Sequence, residues 1–459
     1  MDIKSSRRNF LRNSLSAVAG AIVLPHIIPS SAMGMSGMIP PSDRIVMGSI
    51  GVGSQGTSNM KDFLDFKQVQ YVSMCDVDSG HLEKASDLVN KKYGNKDCRT
   101  YKDYREFLEK EKVDAVCISV PDHWHSIAYV AAANKKLAIY GEKPLARSIG
   151  EGQQIVKAVK KNNIVWQTGS WQRSKANFHQ AAELVFNGRL GKVDRVEVGL
   201  PNGNKGIGMP PVIEVPKELD WDFWLGSAPK VPYRGVCHWN WRWILDYSGG
   251  QLTDWAGHHI DIAQWGLGLD RTGPVEISGV GVYPPSGELY NVPTEYDFNC
   301  KYKSGVTIRV ANAARLPMGM GVTWYGENGW IHVDRGDVLT ASKPELISEK
   351  LGDNKKALYE STDHWENFLD CVRSKKETIA PVEVAHRAIS VGLLGEIAMT
   401  TKQTIHWDPV KEQIINNAEA SKMLMRNFRA PWKIPVIKFN PKHEFSLFIL
   451  KTGILYFIN

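Results

Sequence analysis

The sequence predicts an α/β protein, an N-terminal Rossmann dinucleotide-binding domain followed by an α+β domain with a large, mostly antiparallel open sheet. Three observations carry this. Between residues 44 and 168, short apolar runs alternate with helical stretches. The first run ends in a Gly-x-Gly-x-x-Gly loop that opens a helix. After residue 168, apolar–polar alternation and hairpin turns replace that pattern. Strands alternating with helices imply a parallel sheet covered on both faces; alternating strands joined by turns imply an antiparallel one.

In the first part, apolar runs at 45–50, 69–75, 113–120, 137–140 and 164–167 read as strands. Helical patterns at 57–66, 81–92 and 127–134 separate them. In the second part, residues 178–187 read as a helix, and 193–200, 275–283, 296–302, 306–311, 322–325 and 330–333 as strands. Lys303-Ser304-Gly305 and Glu327-Asn328-Gly329 supply two hairpin turns. Helices return at 364–373 and 384–400. The chain therefore divides into a leader over 1–34, a Rossmann domain over 43–168, a substrate and oligomerisation domain over 169–432, and a tail over 433–459 with no assigned role.

Length and composition fit this division. At 459 residues the chain is long enough for two large domains. Hydrophobic residues make up 43% and charged residues 23%, the balance of a globular protein. The net charge is +7, of which +3 lies in the first 32 residues (Lys4, Arg7, Arg8 and Arg12 against Asp2). The remainder is spread without dense basic runs, which argues against nucleic acid as a partner. Ser6-Arg7-Arg8-Asn9-Phe10-Leu11, an apolar stretch over 15–24 and Ser30-Ser31-Ala32 form a twin-arginine export pattern. That route carries folded cargo, so a periplasmic protein with its cofactor already bound is expected. The apolar stretch is too short for a stable membrane span, as is the apolar tail over 445–458. The six cysteines (75, 98, 117, 237, 300 and 371) form no Cys-x-x-Cys or zinc-ligand spacing, and the sequence gives no disulfide pairing.

Gly51-Val52-Gly53-Ser54-Gln55-Gly56 follows a predicted strand and precedes a predicted helix. The first glycine allows the tight turn, the second lets a pyrophosphate approach the backbone, and the third permits close helix–strand packing. Asp76 ends the next strand, where a carboxylate hydrogen-bonds the adenine ribose and repels a 2′-phosphate. NAD is thus expected in preference to NADP.

Pro121-Asp122-His123-Trp124-His125 follows the third strand and Glu142-Lys143-Pro144 the fourth, both at the sheet edge where ligands bind. With the glycine loop, these motifs resemble the glucose-fructose oxidoreductase / inositol dehydrogenase family (Gfo/Idh/MocA), from about Arg44 to Trp432. The resemblance implies that Lys143 is the active-site lysine, that Pro144 rigidifies the turn aiming it, and that Pro121, His125 and Glu142 line the cofactor site with Gly51, Gly53, Ser54, Gln55, Gly56 and Asp76.

In Gly249-Gly250-Gln251-Leu252-Thr253-Asp254-Trp255-Ala256-Gly257-His258-His259-Ile260-Asp261, a helix from Thr253 puts Asp254, His258 and Asp261 on one face. This segment resembles the family's Asp-x-x-x-His element, which implies that His258 is the general acid/base and that Asp254 orients it or binds a hydroxyl. Imidazole suits that role because it titrates near neutrality. A metal held by Asp254, His258 and Asp261 is the competing arrangement, though the resemblance requires no metal.

Seven of the 15 tryptophans fall between 221 and 265. In His238-Trp239-Asn240-Trp241-Arg242-Trp243, Trp241 could offer a flat face to a sugar ring and Arg242 a donor to its hydroxyls; core packing is the alternative for each tryptophan. Arg173, after the last Rossmann strand, and His259 complete the candidate substrate contacts, with a phosphate contact or a structural ion pair as the alternatives for Arg173. The long insert over 201–247 resembles exported, Trp-rich branches of the family. The expected function is NAD-dependent hydride transfer at a sugar or polyol carbinol carbon; the alternative is glycoside cleavage by transient oxidation and elimination. The expected substrate is a small carbohydrate, and the open sheet is expected to self-associate into a homo-oligomer.

Overall fold

A computed structural model describes residue 40 and residues 43–437. The segment over 1–34, expected to be a twin-arginine leader, and the tail beyond 437 lie outside the described residues. Among the described residues, no helix is long and apolar enough to cross a membrane.

The first half is a parallel sheet of six strands among the described residues: β1 (Ile45–Ile50), β2 (Val69–Cys75), β3 (Arg99–Tyr101), β4 (Ala115–Ile118), β5 (Ala138–Gly141) and β6 (Trp166–Thr168). Their order is β3-β2-β1-β4-β5-β6, so the chain reverses direction across the sheet between β1 and β4. This is the strand order of a Rossmann fold, whose crevice at the reversal binds dinucleotides. Sequence periodicity locates five of the six strands. The exception, β3, has only three residues, too few for a period, and sits at the edge with Arg99 and Thr100 exposed. The following helix, Tyr104–Lys110, also lies outside the expected pattern.

The second half is a sheet of nine strands among the described residues: β7 (Val193–Leu200), β8 (Glu276–Val282), β9 (Glu295–Lys301), β10 (Thr307–Asn312), β11 (Gly321–Gly326), β12 (Gly329–Asp334), β13 (Val338–Ala341), β14 (Ile405–Asp408) and β15 (Gln413–Ile414). The order is β13-β12-β11-β7-β10-β9-β8-β14-β15. All neighbours are antiparallel except β7 and β10, which run parallel. Both expected hairpins form, β9–β10 and β11–β12.

One apolar core runs through both halves. It includes Ile118 and Ile139 of the parallel sheet and Val198, Phe298 and Trp324 of the antiparallel one. Trp324 is fully buried, and its indole N–H donates to the Ala263 carbonyl at 3.2 Å. The sheet thereby fixes helix Asp261–Leu267, which continues directly from the segment carrying Asp254 and His258. A large fully buried aromatic ring leaves a cavity when truncated. Trp324→Ala is expected to cost about 3–5 kcal/mol, read as a lower midpoint in urea denaturation.

Candidate active site

The glycine loop sits at the reversal between β1 and β4. Gly51 adopts φ +83°, and a Cβ there would lie 2.5 Å from the Ser119 carbonyl oxygen. A Cβ on Gly56 would lie 2.1 Å from the Gly51 oxygen. At Gly53, by contrast, the nearest atom to an added Cβ is the His81 ring at 3.6 Å. The space over Gly53 is a cradle that only a glycine leaves open. Helix Ser54–Leu64 begins there with no side-chain cap, so its N-terminus can receive a phosphate. Asp76 accepts from Val52 N at 2.7 Å and from Asp78 N at 2.9 Å, which holds its carboxylate beside the loop. These features fit a dinucleotide. Gly51, Gly53, Ser54, Gln55, Asp76, Pro121, Glu142 and Lys143 all line this one cleft.

His125 does not line it. The ring is buried, 2.7 Å from the Pro144 carbonyl oxygen and 2.9 Å from that of Val120. Instead of touching cofactor, it ties the turn after β4 to the turn that carries Lys143. Glu142 is buried and accepts from Asn59 Nδ2 at 2.7 Å; burial pushes its carboxyl above the ordinary range. The Lys143–Pro144 peptide is cis.

The insert forms the facing wall. It pairs with the turn after β2 through Ser79 N to Glu218 O at 2.9 Å and Asp220 N to Val77 O at 3.1 Å. Phe223, Trp224, His238, Trp239, Trp241 and Arg242 then reach the cleft. His238 Nε2 stands 3.3 Å from Asp78 Oδ2, and its ring centre lies 4.7 Å from that of His81. Asp78, His81 and His238 thus gather at the cleft near Asp76, a trio the sequence reading missed. The Arg242 guanidinium carbon lies 4.1 Å from the Trp239 ring centre and 4.4 Å from that of Trp241. Trp241 is buried and Trp239 is 60% exposed.

Lys143 Nζ donates to Asp254 Oδ1 at 2.8 Å, and Arg242 Nε reaches the same oxygen at 3.3 Å. Burial acts to raise the Asp254 carboxyl, but Lys143 and Arg242 outweigh it and hold it below the ordinary range. Asp122, a further missed residue, is buried in the same cleft and accepts from Ser248 Oγ at 2.6 Å. Burial pushes it up to about 7. Its signal was its place within Pro121-Asp122-His123-Trp124-His125.

The Asp/His segment departs from the expected single α-helix. Helix Gly250–Trp255 passes into a π-helical turn over Ala256–Ile260, then into helix Asp261–Leu267. The helix starts before Thr253, whose hydroxyl accepts from Gly249 N at 3.1 Å. The wide turn shifts the helical phase, so Asp254 and Asp261 do not share a face. Asp261 instead pairs with Arg173, at 2.7 Å to Nε and 2.8 Å to Nη2, and Asp270 joins at 3.1 Å. Two expectations are corrected here. Arg173, a candidate substrate contact, is engaged in the buried ion pair that was one of its alternatives, and Asp254, His258 and Asp261 do not share one face. His259 is corrected too. It is fully buried, 3.2 Å from Gln172 Nε2, and burial brings it down to about 3. Its Nε2 lies 3.5 Å from Asp334 Oδ1 without an aligned hydrogen bond.

His258 is buried with Nδ1 unpartnered. Burial holds it well below the ordinary histidine range, reinforced first by the charge of Lys143 and then by that of Arg335. The rings of Trp255 and Trp171 flank it at 5.8 and 6.3 Å. All six cysteines are free.

Comparison with known proteins agrees with this architecture. Residues 45–170 match the family model described as an oxidoreductase family, NAD-binding Rossmann fold; residues 202–434 match its C-terminal alpha/beta domain. The myo-inositol 2-dehydrogenase of Thermotoga maritima is 22% identical over 375 residues, 79% of this chain and 99% of its own. An alpha-N-acetylgalactosaminidase of Shewanella oneidensis is 26% identical over 195 residues, 39% of this chain and 42% of its own. Among solved structures, the WlbA dehydrogenase of Bordetella pertussis, in complex with NADH and UDP-GlcNAcA, has a TM-score of 0.57 at 15% identity, covering 80% of this chain and 99% of its own. The aldose-aldose oxidoreductase of Caulobacter crescentus has 0.57 at 17% identity, covering 79% of this chain and 99% of its own.

The glycine geometry predicts two different failures. Gly53→Ala should keep the cofactor-free melting temperature and weaken NAD binding by about tenfold, because the methyl enters the cradle. Gly56→Val should lower both, because its Cβ meets backbone. Calorimetric NAD titration beside thermal melting checks this, and equal behaviour of the two variants would contradict it.

Proposed function

Since the chain belongs to the Gfo/Idh/MocA oxidoreductase family, we propose that it transfers a hydride between a sugar or polyol carbinol carbon and NAD. The supporting observation is convergence. Lys143, at the edge of the parallel sheet, meets Asp254 and Arg242 of the second half, with a buried His258 within reach of its charge.

Bound NAD supplies the hydride acceptor. Lys143 places its amine against the carbinol oxygen and stabilises the charge that develops there. His258 takes the hydroxyl proton as the C–H bond breaks, which requires a neutral imidazole. Its burial and its cationic neighbours keep it neutral. Asp254 holds Lys143 and Arg242 in one place. Arg242 offers donors to hydroxyls, and Trp239 and Trp241 offer flat faces to a ring. Asp76 opposes the 2′-phosphate of NADP, so NAD is the preferred dinucleotide.

A second reading starts with the same oxidation. It continues with elimination of an aglycone from the acidified neighbouring carbon and return of the hydride. The similarity to the Shewanella alpha-N-acetylgalactosaminidase favours it, over the part of the chain that aligns.

A panel of sugars, inositols and aryl glycosides, with NAD or NADP added, separates these. Net nicotinamide reduction without aglycone release is expected, faster with NAD. Aglycone release without net reduction selects the second reading, and inactivity across the panel overturns both. Lys143→Ala is expected to lower turnover by about 10³-fold while NAD still binds; wild-type rates in that variant would remove the lysine from the chemistry.

The pH dependence has a definite sign. Neutral His258 is the proton acceptor, and its folded pKa lies below the ordinary value of about 6.5. The kcat/KM for oxidation should stay level as pH falls through that value and decline only below it. A half-maximal point at or above it would exclude His258 as the acceptor.

A further inference from the structure

One cation near His258 has a charge that acts on the imidazole but no contact role in this chemistry. Arg335 lies in the turn between β12 and β13. Its guanidinium carbon stands 4.2 Å from the ring centre of Trp255 and 4.6 Å from that of Trp171. Nη2 donates weakly to Gln172 Oε1 at 3.4 Å, and Nε is buried without a partner. Among the described residues, no carboxylate comes within ion-pair distance of it. Other well-buried arginines here are matched: Arg173 has Asp261, Arg147 has Glu396, and Arg426 has Glu151. Asp334, its neighbour in sequence, turns toward His259.

The charges of Asp334 and Asp254 act on Arg335 from beyond contact distance, but burial outweighs them; a half-buried guanidinium with no carboxylate in contact is costly. Aromatic faces recover part of that cost but leave the N–H edge unsatisfied. That edge is a planar fork matched to the two oxygens of a carboxylate. The same two indole rings flank His258. The weakly engaged fork and the proposed proton acceptor therefore share one aromatic wall.

We propose that Arg335, between Trp171 and Trp255, is the receptor for a carboxylate on the substrate, which makes the substrate class an acidic sugar such as a uronide. This rests on the sugar reading above and narrows it. The rings grip the apolar face of the sugar, and the guanidinium takes the carboxylate bidentately. An arginine serving only to pack the two indoles would give no preference for charged ligands.

The test is binding rather than turnover. The NAD-loaded chain is titrated with methyl β-D-glucopyranoside and with methyl β-D-glucuronide, and with the galacto pair, by calorimetry and tryptophan fluorescence. In at least one pair the uronide should bind about tenfold tighter than its neutral counterpart. Arg335→Gln should bring that ratio to within about twofold while its NAD content and its affinity for the neutral glycoside stay near wild type. If Arg335→Gln does not fold, Arg335→Lys reads the same ratio: it keeps the charge, loses the fork, and should show a reduced preference. Equal binding of both members of each pair, no binding of either uronide, or an undiminished preference in the variant that folds would overturn the proposal. Failures are distinguishable: Arg335-dependent uronide binding without nicotinamide reduction keeps the anion site and sinks the hydride reading. Oxidation of neutral sugars without uronide preference does the reverse.

Discussion

The contact between Lys143 and Asp254 is the constraint on which the rest of the site depends. It joins the turn after β5 of the parallel sheet to a short helix of the second half, 111 residues later. Neither partner is exposed enough for a surface ion pair, so its geometry is set by packing on both sides. His125 braces the turn by bridging it to the end of β4. Trp324 braces the helix that follows the π-helical turn. Arg242 reaches the same carboxylate and brings the insert with it. One carboxylate thus registers three separately built parts of the chain.

The insert shows why its aromatic residues resist a simple assignment. Leu219, Trp224, Trp243, Tyr247 and Val292 form a core cluster of their own, which lets the segment hold a shape with little regular structure. That cluster includes Trp224 and Trp241, which also line the dinucleotide cleft. Trp224 and Trp241 therefore pack a core on one side and face a ligand on the other. The choice between packing and binding, posed residue by residue, has no single answer for them.

What was legible in the sequence was local. The glycine loop and the Glu-Lys-Pro turn were readable because each is a short backbone device next to a strand, and the parallel sheet follows from alternation with helices. Three things were not readable. A π-helical turn leaves no compositional mark, so the helical spacing that joined Asp254 to Asp261 held on paper and failed in the fold. Arg173 finds its carboxylates 88 and 97 residues away, so an ion pair and a substrate contact look alike before folding. Arg335, in a hairpin turn of the second sheet, gave no signal, because its tryptophan neighbours come from two distant segments.

The electrostatics of His258 couple the two halves of the chemistry. A depressed imidazole is a reluctant proton acceptor, and on its own that would slow oxidation. It becomes workable when the donor is made more acidic, and a cation at the carbinol oxygen does that. The charge of Lys143 thus weakens the base and strengthens the acid in the same step. Arg335 contributes only the first half, since it lowers His258 and, by the proposed geometry, faces a substituent and not the reacting oxygen. A carboxylate bound to Arg335 would offset that charge and ease the depression of His258 in part, while burial and Lys143, its larger causes, persist.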